Sequence, residues 1–322
     1  MVNSTHAIDR SRSLDSGRMR HPLVLACDEG YAMQLATTLR SIVEADRNDR
    51  PLDFLVLSDG FSEDTRGKVL RSLPKGSASI EWVDVDLGPF VEFATISYIS
   101  KMTFARILIP QVLPASVSRV LYLDTDLLVL DDLEPLWETN LEGSVVGAVI
   151  DQADQQFKEG ATALAGVPCV RDYFNAGVLL IDLNQWRERQ ISEKALAYLA
   201  QNPRSPFSDQ DALNFACDGL WKKLDGRWNF QKHWENRIME MSPDRRPGIV
   251  HFITSKKPWE ASIPNLNASF YDAYRSRTCF ARNPLEKLMD RLQGDWSRLK
   301  GMLKKYSFVQ FMWKNLRPSR SS

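Results

Sequence analysis

From Pro22 onward, short apolar segments alternate with segments of helical periodicity, and this alternation constrains the fold most strongly. Strands are predicted over residues 23–26, 53–57, 79–85 and 119–123. Helices are predicted over residues 32–44, 63–73 and 101–109, and Pro110 is expected to close the last of them. Because strands that alternate with helices form βαβ units, we expect an α/β protein with a largely parallel sheet.

The pattern is looser after Asp131. Strands are predicted over residues 145–150, 177–181 and 249–253, and helices over 193–199 and directly after Ser208. The Ser208 hydroxyl is expected to cap the second of these helices. We find no internal repeat and no glycine-serine linker, so residues 22–282 are expected to form one catalytic domain. Residues 1–21 are polar and lack periodicity, which predicts a flexible arm.

The most informative local motif is Asp124-Thr125-Asp126, at the carboxyl end of the predicted strand over 119–123. Side chains two positions apart on an extended chain point the same way, so both carboxylates can face one ligand. Ligands of open α/β sheets bind beyond the carboxyl ends of strands. Paired carboxylates there suit a hard divalent cation, which in turn holds a diphosphate. The alternative is an acidic turn, since Asp131 and Asp132 follow closely.

His251 lies in the last predicted strand, six residues before Lys257. An imidazole ligand would shift the preference of a carboxylate site from Mg²⁺ toward Mn²⁺ or another transition ion. The Lys257 ammonium could neutralise a phosphate as a point charge. The alternative is that His251 is a hydrogen-bonded residue of the core.

Two further groups of polar residues border apolar segments. Asn175 and the pair Asp209-Gln210 are suited either to bind sugar hydroxyls or to form turns and helix caps. From the sequence alone, Arg106 is interpreted as an arginine that is either exposed to solvent or paired with an acidic residue.

Several familiar sites are absent from the sequence. It contains no Gly-x-Gly-x-x-Gly, Walker loop, Gly-x-Ser-x-Gly or His-Glu-x-x-His motif, so hydride transfer, P-loop hydrolysis and zinc proteolysis lose support. The four cysteines form no Cys-x-x-Cys pair, which indicates no zinc knuckle and suits a reducing compartment.

Taken together, the motifs resemble the retaining nucleotide-sugar glycosyltransferases of family 8, from about Leu23 to Trp259. The blocks that carry the resemblance stand in the family's order, at residues 26–31, 103–106, 121–126, 173–178, 209–211 and 251–259. The resemblance implies a GT-A fold, which is a single α/β domain built on a nucleotide-binding sheet. It also implies a UDP-hexose donor.

The resemblance also implies roles for individual residues. It implies that Mn²⁺ is held by Asp124, Asp126 and His251. It implies that Asp28 and Tyr31 grip the uridine. Lys257 matches a contact to the diphosphate. The residues that match positions around the donor sugar are Arg106, Asp124, Asn175, Asp209 and Gln210. Asp151 lies where the acceptor approaches, so Asp209, Gln210 and Asp151 are the expected catalytic residues.

The family retains the anomeric configuration, yet no carboxylate of this sequence is an obvious nucleophile of the kind that retaining glycosidases use. We therefore expect a front-face mechanism, in which the leaving phosphate oxygen deprotonates the acceptor hydroxyl. A covalent intermediate through Asp209 or Gln210 is the alternative. Galactosyl members often have glycine at the position of Thr254 and histidine at that of Tyr98, so the donor sugar stays open between galactose and glucose.

The C-terminal residues 283–322 differ in character from the rest of the chain. Residues 298–322 carry seven basic and no acidic side chains, whereas residues 1–297 carry 34 basic and 41 acidic ones. The net charge of zero therefore combines an acidic body with a basic tail. With its aromatic residues, the tail predicts an amphipathic helix on an anionic membrane surface, the alternative being a helix packed on its own domain. Nucleic-acid binding is not expected, because no recognition module accompanies the basic residues.

These features together predict a cytoplasmic enzyme, peripheral on the inner face of the membrane, that transfers galactose or glucose to a glycan such as a lipopolysaccharide or lipid-linked oligosaccharide. The localisation rests on the lack of an apolar signal core in residues 1–21. Two alternatives remain: a sugar-phosphate nucleotidyltransferase, which would normally have a glycine-rich basic loop near its N-terminus, and a non-catalytic carbohydrate- or metal-binding protein, which would not need Lys257 and Arg106 beside a metal.

Overall fold

The structure is a computed structural model, and it describes residues 21–48, 50–90, 100–154, 167–260, 265–289 and 292. The strands of this part are β1 (Leu23–Asp28), β2 (Leu52–Asp59), β3 (Ala78–Asp84), β4 (Arg119–Leu123), β5 (Leu127–Val129), β6 (Val146–Ile150), β7 (Phe174–Asp182), β8 (Trp221–Lys223) and β9 (Ile249–His251). The α-helices are α1 (Ala32–Ala45), α2 (Glu63–Arg71), α3 (Ile109–Val112), α4 (Glu134–Trp137), α5 (Leu183–Glu188), α6 (Ile191–Gln201), α7 (Asp209–Ala216) and α8 (Ala268–Arg275).

The main sheet has seven strands in the order β3-β2-β1-β4-β7-β6-β8. Four of its six strand pairs are parallel, and β7 runs antiparallel to both of its neighbours. The predicted α/β architecture with a largely parallel sheet is thereby confirmed. A separate ladder pairs β5 with β9 in antiparallel orientation.

The hydrophobic core lies on both faces of this sheet, since alternate residues of each central strand point to opposite faces. On β4, Val120 and Tyr122 join one cluster of buried residues, while Leu121 and Leu123 join the other. In a sequence, strands that are buried on both faces appear as nearly continuous runs of apolar residues. This is why the central strands could be found from the sequence.

Two local predictions are wrong. The helix predicted over residues 101–109 is present as a 3-10 helix (Lys101–Leu108), but Pro110 does not close it. Pro110 lies inside the short helix α3 that follows, where the first turn tolerates proline. Ser208 precedes α7, but its side chain makes no capping hydrogen bond. Its φ of 46° and ψ of −108° depart from the extended backbone that directs a capping oxygen at the helix.

The C-terminal segment begins with a helical stretch over residues 284–289. Its first turn has a capping box, because the Glu286 N–H donates to Asn283 Oδ1 (2.8 Å) and the Asn283 N–H donates to Glu286 Oε2 (2.9 Å). Apolar side chains on this segment are exposed, by 67% at Leu285 and 57% at Leu292. The rest of the predicted tail and the predicted arm lie outside the described residues, apart from His21. Tyr98 lies outside them too.

Candidate active site

Polar residues converge where several strands of the main sheet end on the same side. β1, β4 and β6 run in one direction, and their carboxyl ends deliver Asp28, Asp124 and Asp151. β7 runs the opposite way, so its first residues, including Asn175, reach the same edge. This edge is where ligands of open α/β sheets bind.

A cavity of about 390 Å³ opens at this edge. Its lining includes every site residue predicted from the sequence: Asp28, Tyr31, Arg106, Asp124, Asp126, Asp151, Asn175, Asp209, Gln210, His251 and Lys257. These residues span most of the chain, from the end of β1 to the loop after β9. The structure therefore brings together one set of polar side chains that the sequence presents as separate motifs.

The side chains of Asp124, Asp126 and His251 form a cluster suited to a metal ion, with one potential ligand atom from each residue lying within 4.8 Å of the others. The β5–β9 ladder creates this cluster, since it pairs Leu127 with His251 and so sets the histidine beside the preceding carboxylate. His251 Nε2 lies 3.0 Å from Asp126 Oδ1 and 3.7 Å from Asp124 Oδ2. Two carboxylates and one imidazole fit Mn²⁺ or a similar transition ion better than Mg²⁺.

Gly177 on β7 makes room for this cluster. A Cβ atom at this position would lie 2.1 Å from His251 Cε1 and 2.7 Å from Asp124 Oδ2. The Gly177 carbonyl also accepts a hydrogen bond of 2.8 Å from the Asp124 N–H, which extends the β4–β7 ladder to this candidate metal ligand. Only glycine permits this close approach of backbone to ligand side chains.

Lys257 supplies a positive charge at the edge of the cluster. Its Nζ lies 2.6 Å from Asp126 Oδ2, and the side chain is only 7% exposed. Burial would raise the pKa of Asp126, but the charges of Lys257 and His251 more than offset this effect and hold that pKa well below its usual range. Asp126 is therefore ionised at neutral pH, which is the state in which a carboxylate can bind a metal ion.

Arg106 is a buried, paired arginine rather than a solvated one. Its Nε lies 2.9 Å from Asp209 Oδ2, and one terminal nitrogen lies 3.3 Å from Asp124 Oδ1. Another terminal nitrogen donates to the Ala176 carbonyl. Burial alone would lower the pKa of Arg106, but the two carboxylates hold it above its ordinary value. Arg106 thus links α7 to Asp124, the residue that follows β4.

Asp151, Asn175 and Gln210 form a hydrogen-bonded group in the lining of the cavity. Asp151 Oδ2 accepts hydrogen bonds from Asn175 Nδ2 (3.0 Å) and Gln210 Nε2 (3.3 Å). Its Oδ1 accepts one of 2.8 Å from the Ala153 N–H. Gln210 Oε1 accepts a further one of 3.0 Å from the Ala176 N–H. These contacts fix the orientation of all three predicted residues.

The same cluster of motifs matches a known family. Residues 22–262 match the sequence model of the family described as glycosyl transferase family 8. The chain belongs to glycosyltransferase family 8. Its fold is that of the galactosyltransferase LgtC, whose crystal structure with donor and acceptor sugar analogues is 30% identical, covers 84% of this chain and 99% of that one, and has a TM-score of 0.70.

The chain is also similar to two bacterial proteins. It is 29% identical over 271 residues to general stress protein A of Bacillus subtilis, with 80% of this chain and 93% of the relative covered. It is 23% identical over 240 residues to the lipopolysaccharide 1,2-glucosyltransferase of Escherichia coli, with 72% and 70% covered. Within the described residues, no helix has both the length and the apolar character that crossing a bilayer requires.

Asp28 and Tyr31, the expected uridine-binding residues of this family 8 site, also line the cavity. Asp28 Oδ2 accepts a hydrogen bond of 2.6 Å from Ser100 Oγ. Tyr31 packs edge-on against Trp259, with ring centroids 6.5 Å apart. Burial, together with the nearby carboxylates, raises the pKa of Tyr31 to about 12, so its hydroxyl keeps its proton and can donate.

Sequence reasoning missed Asn229, a buried residue at the end of the 3-10 helix Gly226–Asn229. Its Oδ1 lies 3.0 Å from His251 Nδ1, and its Nδ2 donates to Asn175 Oδ1 (2.9 Å). No local motif marks this position, because its partners lie 22 and 54 residues away in the chain. The only available signal was an asparagine directly after an apolar residue, Trp228.

Proposed function

We propose that this family 8 glycosyltransferase moves galactose or glucose from a UDP-sugar to a glycan acceptor, with retention of anomeric configuration and with Mn²⁺ as its cation. The observation that carries the proposal is the composition of one cavity. Its wall combines a metal-ligating group, Asp124, Asp126 and His251, with the cations Lys257 and Arg106. A cleft with this combination is suited to a nucleoside diphosphate and a divalent ion.

Mn²⁺, when bound by Asp124, Asp126 and His251, would stabilise the negative charge of the departing diphosphate. Lys257 would move toward the diphosphate, exchanging its ion pair with Asp126 for a phosphate contact. Asp28 and Tyr31 would hold the uridine at the other end of the cavity. Because Arg106 is fixed by two carboxylates, it would hold Asp124 and Asp209 in place rather than bind phosphate itself.

For the chemical step we propose the front-face route. A nucleophilic carboxylate must be free to attack the anomeric carbon, but Asp209 is ion-paired with Arg106 and only 4% exposed. Gln210 is held through both ends of its amide, by the Ala176 N–H and by Asp151 and Tyr173. These contacts favour a role in positioning the donor sugar. The leaving phosphate oxygen would then accept the proton of the acceptor hydroxyl.

We propose a membrane-borne acceptor, such as a lipopolysaccharide or lipid-linked oligosaccharide, and a peripheral attachment through the C-terminal segment. Leu285, Leu288, Met289 and Leu292 have helical spacing and are more than half exposed. The seven basic residues of 298–322 follow them in the sequence. An apolar stripe followed by a basic segment suits the headgroup boundary of an anionic leaflet. The E. coli relative is named for an activity on lipopolysaccharide.

The proposal is tested by measuring UDP release from a panel of UDP-sugars with purified full-length protein, in Mn²⁺ and in chelator. We expect release from UDP-galactose or UDP-glucose that depends on the cation and rises when the correct glycan is added. The nucleotidyltransferase alternative predicts pyrophosphate instead, formed from a nucleoside triphosphate and a sugar phosphate. The non-catalytic alternative predicts binding without release. Either of those results would refute the proposal.

A further inference from the structure

We infer that Asp211, a buried carboxylate that the mechanism above does not use, is a positioning residue. It stabilises a strained turn over residues 205–208, and this turn places Asp209 and Gln210 in the wall of the cavity. The effect on sugar transfer rests on the proposed function, whereas the coupling between Asp211 and the turn does not depend on it.

The turn contains a backbone conformation that L-amino acids rarely adopt. The Ser208 N–H donates to the Ser205 carbonyl at 3.2 Å, and Ser208 has a φ of 46° and a ψ of −108°. Gln190, which also precedes a helix, has a φ of 55° and a ψ of 47° and so lies in the usual left-handed region. The ψ of Ser208 lies far outside that region. Residues in such conformations persist only where surrounding contacts hold them, and they are common at active sites.

Asp211 provides contacts of this kind from the far side of Ser208. Its Oδ2 accepts hydrogen bonds from Ser205 Oγ (2.6 Å) and from the Phe207 N–H (2.8 Å). Asp211 follows Ser208 in the chain, whereas both donors precede it, so the carboxylate bridges the strained residue. Asp211 is completely buried, and Ser205 and Ser208 are only 5% and 3% exposed. Water therefore competes little for these hydrogen bonds.

A second contact of Asp211 reaches the cavity through Tyr173. Asp211 Oδ1 accepts a hydrogen bond of 2.5 Å from the Tyr173 hydroxyl, whose oxygen accepts one of 3.3 Å from Gln210 Nε2. Asp209 directly follows the turn, so a change in the backbone of the turn would move its carboxylate. Because Asp211 is completely buried, it acts on the cavity through these neighbours and not by touching a substrate.

The first test measures stability and needs no substrate. Glycine adopts the Ser208 conformation without strain, whereas at an unstrained position it destabilises by increasing the freedom of the unfolded chain. We therefore expect Ser208→Gly to raise the melting temperature of the wild type. In Asp211→Leu the turn can relax, so the same glycine should raise the melting temperature less or lower it. Equal changes in the two backgrounds would overturn the inference.

Two further variants complete this comparison. Gln190→Gly places glycine at an exposed left-handed residue outside the turn, so its effect should be the same with and without Asp211→Leu. An effect of Gln190→Gly that depends on Asp211→Leu as strongly as that of Ser208→Gly would overturn the inference. If Asp211→Leu does not fold, Ser205→Ala replaces it, because it removes one of the hydrogen bonds to Asp211. An effect of Ser208→Gly that is independent of Ser205→Ala would then overturn the inference.

The second test measures kcat for UDP release in Mn²⁺ and, separately, the affinity for UDP. Since strain of this kind shifts an equilibrium by about 5- to 150-fold, we expect Asp211→Leu to lower kcat by about that factor. The affinity for UDP should be unchanged, because the groups expected to bind UDP lie on other segments. Adding Ser208→Gly to Asp211→Leu should restore much of the lost kcat. Asp211→Asn, which keeps an acceptor for the Phe207 N–H, should lose less than Asp211→Leu.

A wild-type kcat in Asp211→Leu would contradict the positioning role. A loss that Ser208→Gly does not relieve, or a parallel loss of UDP affinity, would also contradict it, since either result indicates general damage to the fold. If the wild type neither binds UDP nor releases it from any UDP-sugar, the proposed function fails, and the melting temperatures still decide whether Asp211 holds the turn.

Discussion

Arg106 Nε lies 2.9 Å from Asp209 Oδ2, and both side chains are 4% exposed. The contact joins the first turn of α7 to the 3-10 helix Lys101–Leu108. A terminal nitrogen of Arg106 also lies 3.3 Å from Asp124 Oδ1, so Arg106 contacts both carboxylates. Asp209, one of the carboxylates expected around the donor sugar, is thus already paired with a cation. Because Asp209 is paired with Arg106, we expect it to position the donor sugar rather than to attack the anomeric carbon.

We predict that Asp209→Asn lowers kcat only about 10- to 100-fold, since an amide keeps a dipole near Arg106 but loses its charge. Loss of a true nucleophile costs on the order of 10⁵-fold or more. Steady-state UDP release measures the difference, and mass spectrometry of the quenched wild type should find no glycosyl-enzyme. An inactive Asp209→Asn together with a trapped adduct would establish the covalent route instead.

Gly177→Ala should abolish the metal site while leaving the fold intact. The new methyl group would approach His251 Cε1 to 2.1 Å, a distance that requires the imidazole to move. We expect Mn²⁺ affinity to fall by at least about 100-fold. Gly226→Ala is the matched control, because a Cβ there meets no atom within 4 Å. Equal Mn²⁺ affinity of the two variants would show that His251 does not ligate the metal.

The sequence predicted the architecture because alternating apolar strands and helices follow local periodicity. It also predicted that Asp124 and Asp126 act together, since their spacing and the preceding strand are local features. It could not predict the contacts of Asn229, which depend on how distant segments pack. The irregular helix before Pro110 and the missing cap at Ser208 have the same origin, because tertiary packing there overrides local propensity.

His233 makes stability depend on pH. It is fully buried, and neither ring nitrogen has a hydrogen-bond partner among the described residues. Burial, with a contribution from the nearby positive charges, lowers the pKa of His233 to about 4. Between about pH 6.5 and pH 4 this histidine binds a proton in the unfolded state but not in the folded state. The free energy of unfolding is therefore unaffected by His233 above about pH 6.5 and falls by about 1.4 kcal/mol per pH unit as the pH drops toward 4.

Chemical denaturation of the wild type and His233→Phe across this pH range isolates the contribution of His233. The phenyl ring can retain the edge-on packing against Phe252, whose ring centroid lies 5.0 Å away. We expect the variant to lose less stability than the wild type as the pH falls from 6.5 to 4. Parallel stability curves would mean that His233 is not a buried neutral histidine.

Deleting residues 298–322 should release the protein from anionic membranes. The deletion removes seven basic side chains and no acidic one, so binding to vesicles that contain phosphatidylserine should fall sharply. Wild-type binding should weaken as salt is added and should be slight on neutral vesicles. UDP-sugar hydrolysis by the truncated protein should be unchanged. Vesicle binding that survives the deletion would exclude the tail as the anchor.

The central claim is that glycosyl transfer takes place at the cavity that contains Asp124, Asp126 and His251. It is tested most directly by the initial rate of Mn²⁺-dependent UDP release by Asp124→Asn, compared with the wild type on the same UDP-sugar. The substitution keeps the volume of the side chain and removes one ligand charge. The account predicts a loss of about 10³-fold with an unchanged melting temperature. A correctly folded Asp124→Asn variant with wild-type activity would contradict it.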